Sequence, residues 1–331
     1  MLVTGAAGFI GSNLAAELLR RGYEVVGLDN LSQGDMRNLA RVAEHPGFSF
    51  EEADVRDGKA VAATARGCQV IVHLAAYKIP RYGDAYDTLM INAIGSENVA
   101  RAAGETGAKI VAASTSDVYG KSMNVPFSEE DDSVIGSPQV KRWAYAVSKM
   151  FEEQLLLACQ ERMGVKVVLL RLFGSYGPHQ SLSWWGGPQS VFIDRALDDE
   201  AIPLHGDGSQ TRTFTYVGDH VAGITAALES AAADNLVVNL GSQREISMEG
   251  LARLIWGLVR GEDAEPKLEL VPYESFGRYE DVMRRVPDTT RARELLGFEA
   301  KVSLEDGLER TIRWQVERRR ELGRAAPVAS T

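Results

Sequence analysis

Short apolar runs alternate with amphipathic stretches along the first half of this chain. The apolar runs have the length of buried strands, whereas the longer stretches carry apolar residues at helical spacing. The predicted strands are 2–3, 24–28, 48–53, 70–76 and 109–113, and the predicted helices are 13–19, 84–103 and 143–163. Strands that alternate with helices predict an α/β fold with a parallel sheet.

Three glycines separate the first predicted strand from the first predicted helix. Gly5, Gly8 and Gly11 lie in the run TGAAGFIGS, which also contains Phe9 and Ile10. Such glycines permit a tight turn, a close approach of the backbone to a pyrophosphate, and close packing of helix on strand. The helix N-terminus then presents free N–H groups and a positive dipole end. The run therefore predicts a dinucleotide site.

Asp29 ends the second predicted strand, where a dinucleotide-binding unit places an acid on the adenosine ribose, about twenty residues after the glycines. A carboxylate there would repel a 2′-phosphate, which favours NAD over NADP. The alternative is a surface aspartate that starts a loop, because Asn30, Ser32 and Gly34 have turn composition.

Tyr145 and Lys149 lie one helical turn apart in WAYAVSK, so they project from the same face. Thr115 ends a strand thirty residues upstream of Tyr145, where its hydroxyl could align a reacting oxygen. A tyrosine with a pKa of about 10 needs nearby positive charge, from Lys149 and an oxidised nicotinamide, to act as a base. The alternative is an ordinary helix tyrosine beside a lysine and a capping threonine.

Composition narrows the classes of partner. The net charge of −10 argues against nucleic acid or an anionic membrane surface as the main partner, although an anionic substrate remains compatible. The two cysteines, Cys68 and Cys159, have no CxxC spacing, so we expect a reducing compartment and no metal site. No signal segment or membrane span is evident, which predicts a cytoplasmic protein.

These runs resemble those of the extended short-chain dehydrogenases/reductases, within the group of NAD-dependent nucleotide-sugar epimerases and dehydratases. The resemblance covers nearly the whole chain and is carried by TGAAGFIGS, LDN, HLAA, STSDVYG, YAVSK and GDGSQTRTFTYVGD. It implies a Rossmann-type doubly wound parallel sheet over 1–172 and a smaller, mixed substrate lobe over 173–317, with some segments interleaved. Residues 318–331 are expected to form a flexible tail.

The same resemblance implies the residues of the site. Thr115, Tyr145 and Lys149 would be catalytic. The NAD-binding residues would be Gly5, Gly8, Phe9, Ile10, Gly11, Asp29, Asn30, Asp54, Val55, Leu74, Ala75, Ala76, Lys78, Asn92, Tyr145 and Lys149. The substrate-binding residues would be Lys78, Arg81, Thr115, Ser116, Asp117, Gly174, Gln189, Ser190, Arg212, Arg285 and Asp288. Arg212 and Arg285 would bind the substrate diphosphate, for which two guanidinium groups are well suited.

The residues after Thr115 bear on the reaction. A 4,6-dehydratase of this group has an adjacent Asp and Glu there, whereas this chain has Ser116 and Asp117. UDP-glucuronate decarboxylases carry STSEVYG, which resembles STSDVYG, and an Arg and Trp before the tyrosine. A 4-epimerase needs no further acid or base, and Lys78 and the spacing of Arg285 and Asp288 match that branch.

We therefore expect a UDP-sugar 4-epimerase acting on UDP-glucuronate or UDP-glucose. A UDP-glucuronate decarboxylase is the alternative, and a 4,6-dehydratase or a non-catalytic NAD sensor is less favoured. Helices 84–103 and 143–163 resemble the pair that forms a homodimer interface in this family.

The sugar pocket departs from the family pattern at Gly174 in RLFG and at His179 in YGPH. Trp184 and Trp185 could line the sugar pocket or have a structural role in the core. The candidates to meet a hexuronate carboxylate are Lys78, Arg81, Arg142 and Arg195.

Overall fold

A computed structural model describes residues 1–78 and 84–324 of the chain. Its strands are β1 (Leu2–Thr4), β2 (Val25–Asp29), β3 (Phe48–Glu52), β4 (Val70–His73), β5 (Lys109–Thr115), β6 (Val167–Leu172), β7 (Ser175–Tyr176), β8 (Ile202–His205), β9 (Thr211–Thr213), β10 (Thr215–Tyr216), β11 (Leu236–Leu240), β12 (Glu245–Ser247) and β13 (Leu268–Val271). Its α-helices are α1 (Phe9–Arg20), α2 (Gly58–Ala65), α3 (Ala85–Thr106), α4 (Trp143–Met163), α5 (Pro188–Leu197), α6 (Val217–Glu229), α7 (Met248–Arg260), α8 (Thr290–Leu296) and α9 (Leu304–Glu321).

The central sheet is parallel and has the strand order β11-β6-β5-β4-β1-β2-β3. Strand β1 pairs with β2 on one side and β4 on the other, with Thr4 opposite both Leu28 and His73. The strand order reverses direction at this point, so a crevice opens at the carboxyl ends of β1 and β4, where open α/β sheets bind their ligands. The predicted Rossmann-type fold is confirmed.

Helices cover both faces of the sheet. Helices α1 and α6 pack on one face, where Leu14, Leu18 and Ile224 are fully buried. Helices α2, α3 and α4 pack on the other face, with Val99 and Leu156 in the core. Inner strands such as β4 and β6 are buried along their whole length, which explains the near-continuous apolar runs in the sequence, whereas the edge strand β3 is partly exposed.

The second lobe has its own apolar core. Helices α5, α7 and α9 pack together around Phe192, Leu251, Ile255 and Leu308. The short strand pairs β8–β13 and β9–β12 complete this lobe. The edge strand β11 belongs to the central sheet, so the two lobes exchange segments beyond residue 172.

Several predicted boundaries need correction. Helix α1 begins at Phe9, so Gly11 lies inside its first turn and not in the loop before it. The expected tail also begins too early, because α9 continues to Glu321 and its last turn is anchored. Arg318 donates to Asn38 Oδ1 at 2.8 Å and Arg319 donates to Asp194 Oδ1 at 3.0 Å. Residues 325–331 lie outside the described part of the chain.

Within the described ranges, no helix combines the length and the apolar character needed to cross a membrane.

Candidate active site

The glycine turn leaves the N-terminus of α1 open to a ligand. Gly5 has φ +72°, which favours glycine, and a Cβ there would lie 2.9 Å from the backbone nitrogen of Ala75. A Cβ on Gly11 would lie 2.1 Å from the carbonyl oxygen of Gly5. The first turn of α1 has no acidic residue to occupy its N–H groups. This geometry fits a pyrophosphate at the start of α1.

Asp29 lies at the carboxyl end of β2 beside this turn. Its carboxylate accepts hydrogen bonds from the backbone N–H groups of Ala7, at 3.0 Å, and Leu31, at 2.8 Å. Burial raises the pKa of Asp29 above its usual value. Ribose hydroxyl groups would donate to such a carboxylate, whereas a phosphate would be repelled by it. The position therefore fits an NAD ribose.

The next strand end carries the predicted residues Asn30, Asp54 and Val55. The side-chain amide of Asn30 donates to Asp54 Oδ2 at 2.8 Å, and Arg56 lowers the pKa of Asp54 to about 2. Val55 is buried against Gly95 of α3. These residues lie where the sequence predicts the adenosine side of the cofactor.

The loop after β4 connects the cofactor crevice with α4, the helix that carries Tyr145 and Lys149. The N–H groups of Leu74 and Ala75 donate to Thr4 Oγ1 at 3.2 and 3.3 Å. Asn92 accepts from the N–H of Tyr77 at 2.8 Å and donates to Ser148 Oγ at 2.9 Å. The predicted residues Leu74, Ala75, Ala76 and Asn92 thus lie along this loop or against it.

Lys78, farther along that loop, lines the same cavity as Tyr145. Burial lowers the pKa of Lys78 to about 8. Arg81, also predicted for the substrate, lies outside the described residues.

Tyr145 and Lys149 project from α4 toward the carboxyl end of β5. The Tyr145 hydroxyl shares a hydrogen bond with the Thr115 side chain. Burial, followed by the charges of Asp117 and Glu152, raises the pKa of Tyr145 above its usual value. The ammonium of Lys149 lies 3.0 and 2.8 Å from the two carboxylate oxygens of Glu152.

The expectation that nearby positive charge lowers the pKa of Tyr145 is therefore not met, because this pKa is raised. The reason is that Glu152 balances the charge of Lys149. An oxidised nicotinamide, the other source of positive charge that the sequence indicates, would lower that pKa.

Asp117 follows Thr115 and lies in a cluster of arginines. Its Oδ1 accepts from Arg285 and lies 3.4 Å from the Arg142 guanidinium. Burial opposes ionisation, but the charges of Arg285 and Arg142 hold the pKa of Asp117 below its usual value. Asp117 is thus an ionised carboxylate in the wall of the cavity that contains Tyr145.

Sequence reasoning missed Asp281, which is the second carboxylate of this cluster. Its Oδ1 accepts from Arg142 at 3.1 Å and Arg212 at 2.9 Å, and its Oδ2 accepts from the Tyr273 hydroxyl at 2.7 Å. Burial opposes its ionisation, yet Arg212 and Arg142 hold its pKa well below the usual value. Its place four residues before Arg285 was the available signal.

The cavity has a volume of about 320 Å³ and runs from α4 into the second lobe. Arg142, Arg212 and Arg285 lie along its wall, and Trp184 stacks on His205 farther away, with ring centroids 4.6 Å apart. Several buried polar atoms around it lack a partner among the described residues. These atoms are Arg142 Nε, Arg285 Nε, Gln189 Nε2, Ser190 Oγ and Gln210 Oε1. Such donors and acceptors fit a polar, anionic ligand.

Other predicted residues support the cavity without lining it. Ser116 is buried, and Gly174 packs against the Thr213 carbonyl, which would lie 2.0 Å from a Cβ. Asp288 lies just before α8 and accepts a hydrogen bond from the N–H of Thr290 at 2.8 Å.

Three residues that the sequence suggests for the sugar pocket lie outside it. Arg195 pairs with Glu200 on the exposed face of α5, so it is not a carboxylate ligand of this cavity. Trp185 packs edge-on against Tyr77, with centroids 5.1 Å apart. His179 bonds to Ser12 Oγ at 2.9 Å near the start of α1, and therefore borders the cofactor crevice and not the sugar pocket.

Comparison with known proteins agrees with this geometry. The model of the NAD dependent epimerase/dehydratase family matches residues 1–241. The chain belongs to this family, and it is an NAD-dependent enzyme of nucleotide-sugar chemistry.

Two curated relatives are similar over most of the chain. The UDP-N-acetyl-alpha-D-glucosaminuronate decarboxylase of Bacillus cytotoxicus is 34% identical over 317 residues, which cover 95% of this chain and 96% of that protein. UDP-glucuronic acid decarboxylase 1 of Xenopus tropicalis is 36% identical over 316 residues, covering 95% of this chain and 71% of that protein.

Solved structures include epimerases. The UDP-glucose 4-epimerase of Thermotoga maritima, solved with UDP-glucose, is 31% identical with a TM-score of 0.85, covering 97% of this chain and 99% of that chain. A variant of the UDP-glucuronic acid 4-epimerase of Bacillus cereus, in complex with NAD, is 26% identical with a TM-score of 0.85, covering 96% and 98%. The predicted family and the predicted NAD cofactor are confirmed.

Proposed function

We propose that the chain is an NAD-dependent decarboxylase of UDP-linked uronates. The main observation is Asp117, an ionised carboxylate fixed by Arg285 and Arg142 in the cavity of Tyr145. Transfer of hydride at C4 alone needs only Thr115, Tyr145 and Lys149, whereas loss of carbon dioxide requires a further proton at C5. The curated relatives matched above are decarboxylases, which supports this alternative over the 4-epimerase favoured by sequence.

The cofactor side of the site follows from the glycine turn, Asp29 and Lys149, which would hold the pyrophosphate, the adenosine ribose and the nicotinamide ribose. When bound, NAD supplies the acceptor for hydride from C4 of the sugar and the donor for its return. Tyr145 takes the proton of the C4 hydroxyl group, and Thr115 orients that oxygen through its own hydroxyl.

A ketone at C4 makes the C6 carboxylate a β-keto acid. Its C5–C6 bond breaks, carbon dioxide leaves, and the electron pair is delocalised onto the C4 oxygen as an enolate. Hydrogen bonds from Tyr145 and Thr115 to that oxygen stabilise the developing charge. A solvent proton then passes to C5 through a water molecule that the Asp117 carboxylate would hold. Tyr145 finally returns its proton to the C4 oxygen, so each cycle consumes one proton and releases one carbon dioxide.

The arginine cluster suits a substrate with several negative charges. Arg142, Arg212 and Arg285 face only Asp117 and Asp281 in the described cluster, which leaves one positive charge in excess. Arg212 and Arg285 fit the diphosphate, because guanidinium groups can bind phosphate through two parallel hydrogen bonds. Arg142, three residues before Tyr145, is placed to meet the uronate carboxylate.

The test is conversion of UDP-glucuronate and UDP-N-acetylglucosaminuronate in D2O, with the product analysed by NMR. The proposal expects a UDP-pentose or its N-acetyl form, carrying one solvent deuterium at C5. A UDP-hexuronate inverted at C4 and free of deuterium would contradict it and restore the 4-epimerase. A 4-keto-6-deoxy product from UDP-glucose would instead indicate a dehydratase.

We further propose a homodimer through α3 and α4. Both helices expose large apolar side chains, namely Tyr86, Leu89, Val147 and Phe151. Val147 and Phe151 are one turn apart on α4, so they form a continuous apolar strip beside those of α3. Such a strip suits burial against a second copy.

A further inference from the structure

Lys149 has a buried partner that the proposed reaction does not use. Glu152 lies one turn farther along α4, and its oxygens are 3.0 and 2.8 Å from the Lys149 ammonium. Both side chains are 1% exposed. The adjacent Glu153 faces elsewhere, toward Arg171 and Ser114. Glu152 is therefore a buried carboxylate that pairs with Lys149.

A chain of hydrogen bonds fixes Glu152 from the other side. Ser96 Oγ lies 2.9 Å from Glu152 Oε2, and His73 Nε2 lies 3.3 Å from Ser96 Oγ. His73 Nδ1 lies 2.8 Å from Thr4 Oγ1. Burial lowers the pKa of His73 to about 4, so its ring is neutral.

The hydrogen bonds of this network can be assigned so that each group donates to the next, from Thr4 toward Glu152. Thr4 Oγ1 accepts from the N–H groups of Leu74 and Ala75, which leaves its own proton for His73 Nδ1. The Nε2–H of His73 then donates to Ser96, whose hydroxyl donates to Glu152. Ser96 could also donate to the Asn92 carbonyl, at 2.7 Å, but a carboxylate is the stronger acceptor. The network ties β1, β4 and α3 to the catalytic helix.

The charge of this pair affects the cofactor. Lys149 would hold the nicotinamide ribose, next to a ring that is cationic when oxidised and neutral when reduced. Without a neighbouring negative charge, the Lys149 ammonium would repel the oxidised nicotinamide ring and favour binding of the reduced cofactor. We propose that Glu152 is a positioning residue that cancels the Lys149 charge, so that bound NAD+ is not disfavoured relative to NADH.

This role goes beyond the proposed function, because it concerns the cofactor and holds for any sugar that binds. The other charged or titratable groups near the pair are Tyr145, Asp117, His73 and Lys78. None of them contacts Lys149 as Glu152 does in the described part of the chain.

The test is the substitution Glu152→Gln, which keeps the shape and removes the charge. Kd values of NAD+ and NADH are measured separately by calorimetry on the purified protein. We expect the preference for NAD+ over NADH to fall about tenfold. For this two-electron couple, the change raises the reduction potential of the bound cofactor by about 30 mV. An unchanged ratio would overturn the proposal.

Three variants complete the design, with melting temperature recorded for each. Glu161→Gln removes a charge from the exposed side of the same helix and should leave the ratio unchanged. Glu152→Asp keeps the charge and should keep the ratio within about threefold of the parent. Lys149→Met leaves Glu152 unbalanced and should shift the preference toward NAD+; a shift toward NADH would also overturn the proposal. None of these readouts uses a sugar, so they stay informative if the decarboxylase proposal fails.

Discussion

At the residue scale, Tyr145 is placed among opposing charges. Asp117 and Glu152 raise its pKa in addition to the larger effect of burial, while the Thr115 hydrogen bond lowers it. Tyr145 therefore needs further positive charge to act as a base, and the cationic ring of an oxidised nicotinamide would supply it. The oxidised cofactor would thus favour the phenolate form that accepts the C4 proton.

Tyr145→Phe removes the phenol that accepts the C4 proton. We expect turnover to fall at least about a hundredfold, because general acid–base catalysis contributes at least that much. NAD affinity should remain within a few fold, since the glycine turn and Asp29 are untouched. Product formation by NMR and cofactor binding by calorimetry measure the two effects. Near-normal turnover would refute the role of Tyr145.

Asp117→Asn should separate the loss of carbon dioxide from the protonation of C5. Formation of UDP-pentose is expected to fall about a hundredfold, while the C4 ketone still forms and carbon dioxide still leaves in a single turnover. Because Asp117 raises the pKa of Tyr145, its loss lowers that pKa. The rising limb of the pH profile for C4 oxidation should therefore move to lower pH. Unimpaired formation of UDP-pentose, or a limb moved to higher pH, would contradict this assignment.

At the scale of elements, α4 serves two faces of the molecule. Its inner face carries Tyr145, Lys149 and Glu152, and its outer face exposes Val147 and Phe151. Helix α1 has a different task, because its first turn must approach the cofactor without any side chain in between. In the proposed function, α4 thus carries the catalytic side chains and α1 holds the phosphates of the cofactor.

Gly11→Ala should abolish close packing at the start of α1. Its Cβ would lie 2.1 Å from the Gly5 carbonyl oxygen, so the turn must open. We expect NAD affinity to fall at least about tenfold. Gly257→Ala is the matched control, because this helical glycine has room for a Cβ. The control should keep NAD affinity and gain up to about 1 kcal/mol in unfolding free energy. Calorimetry and denaturant unfolding measure both, and equal NAD affinity in the two variants would contradict this account.

Phe151→Glu should weaken the proposed dimer. A buried, unpaired carboxylate on each side of a symmetric interface is costly, so the monomer fraction should rise. Sedimentation velocity of the parent and the variant measures this. A parent protein that is monomeric at micromolar concentration would remove the basis for the proposed interface.

At the scale of the whole molecule, buried histidines couple stability to pH. Burial lowers the pKa values of His73, His179 and His220 to about 4 each. The unfolded chain binds these protons near pH 6.5 and the folded chain only near pH 4. Their neutral forms therefore stabilise the fold above pH 6.5, and this stability is lost as the pH falls toward 4.

Between those limits we expect the unfolding free energy to fall by up to about 4 kcal/mol per pH unit, since three protons are taken up on unfolding. Denaturant unfolding at pH 7, 6 and 5 measures this slope. An unfolding free energy that is constant over this interval would show that these histidines titrate normally in the folded protein.

The sequence was sufficient for features defined locally. The glycine turn and the Tyr145–Lys149 pair depend on spacing within one turn or one helix, and the strand ends meet because the sheet is parallel. It was insufficient for Asp281, which reaches Arg142 across 139 residues of chain. It was also insufficient for Arg195, because periodicity does not tell which face of α5 a long side chain takes. Packing between residues far apart in the chain decides both the position of Asp281 and the orientation of Arg195.

The most direct measurement is release of labelled carbon dioxide from UDP-glucuronate and UDP-N-acetylglucosaminuronate that carry carbon-13 at C6. The account predicts one equivalent of labelled carbon dioxide per molecule of UDP-pentose, and none with Tyr145→Phe. Conversion of either substrate to its C4 epimer with the label retained in the sugar would contradict it.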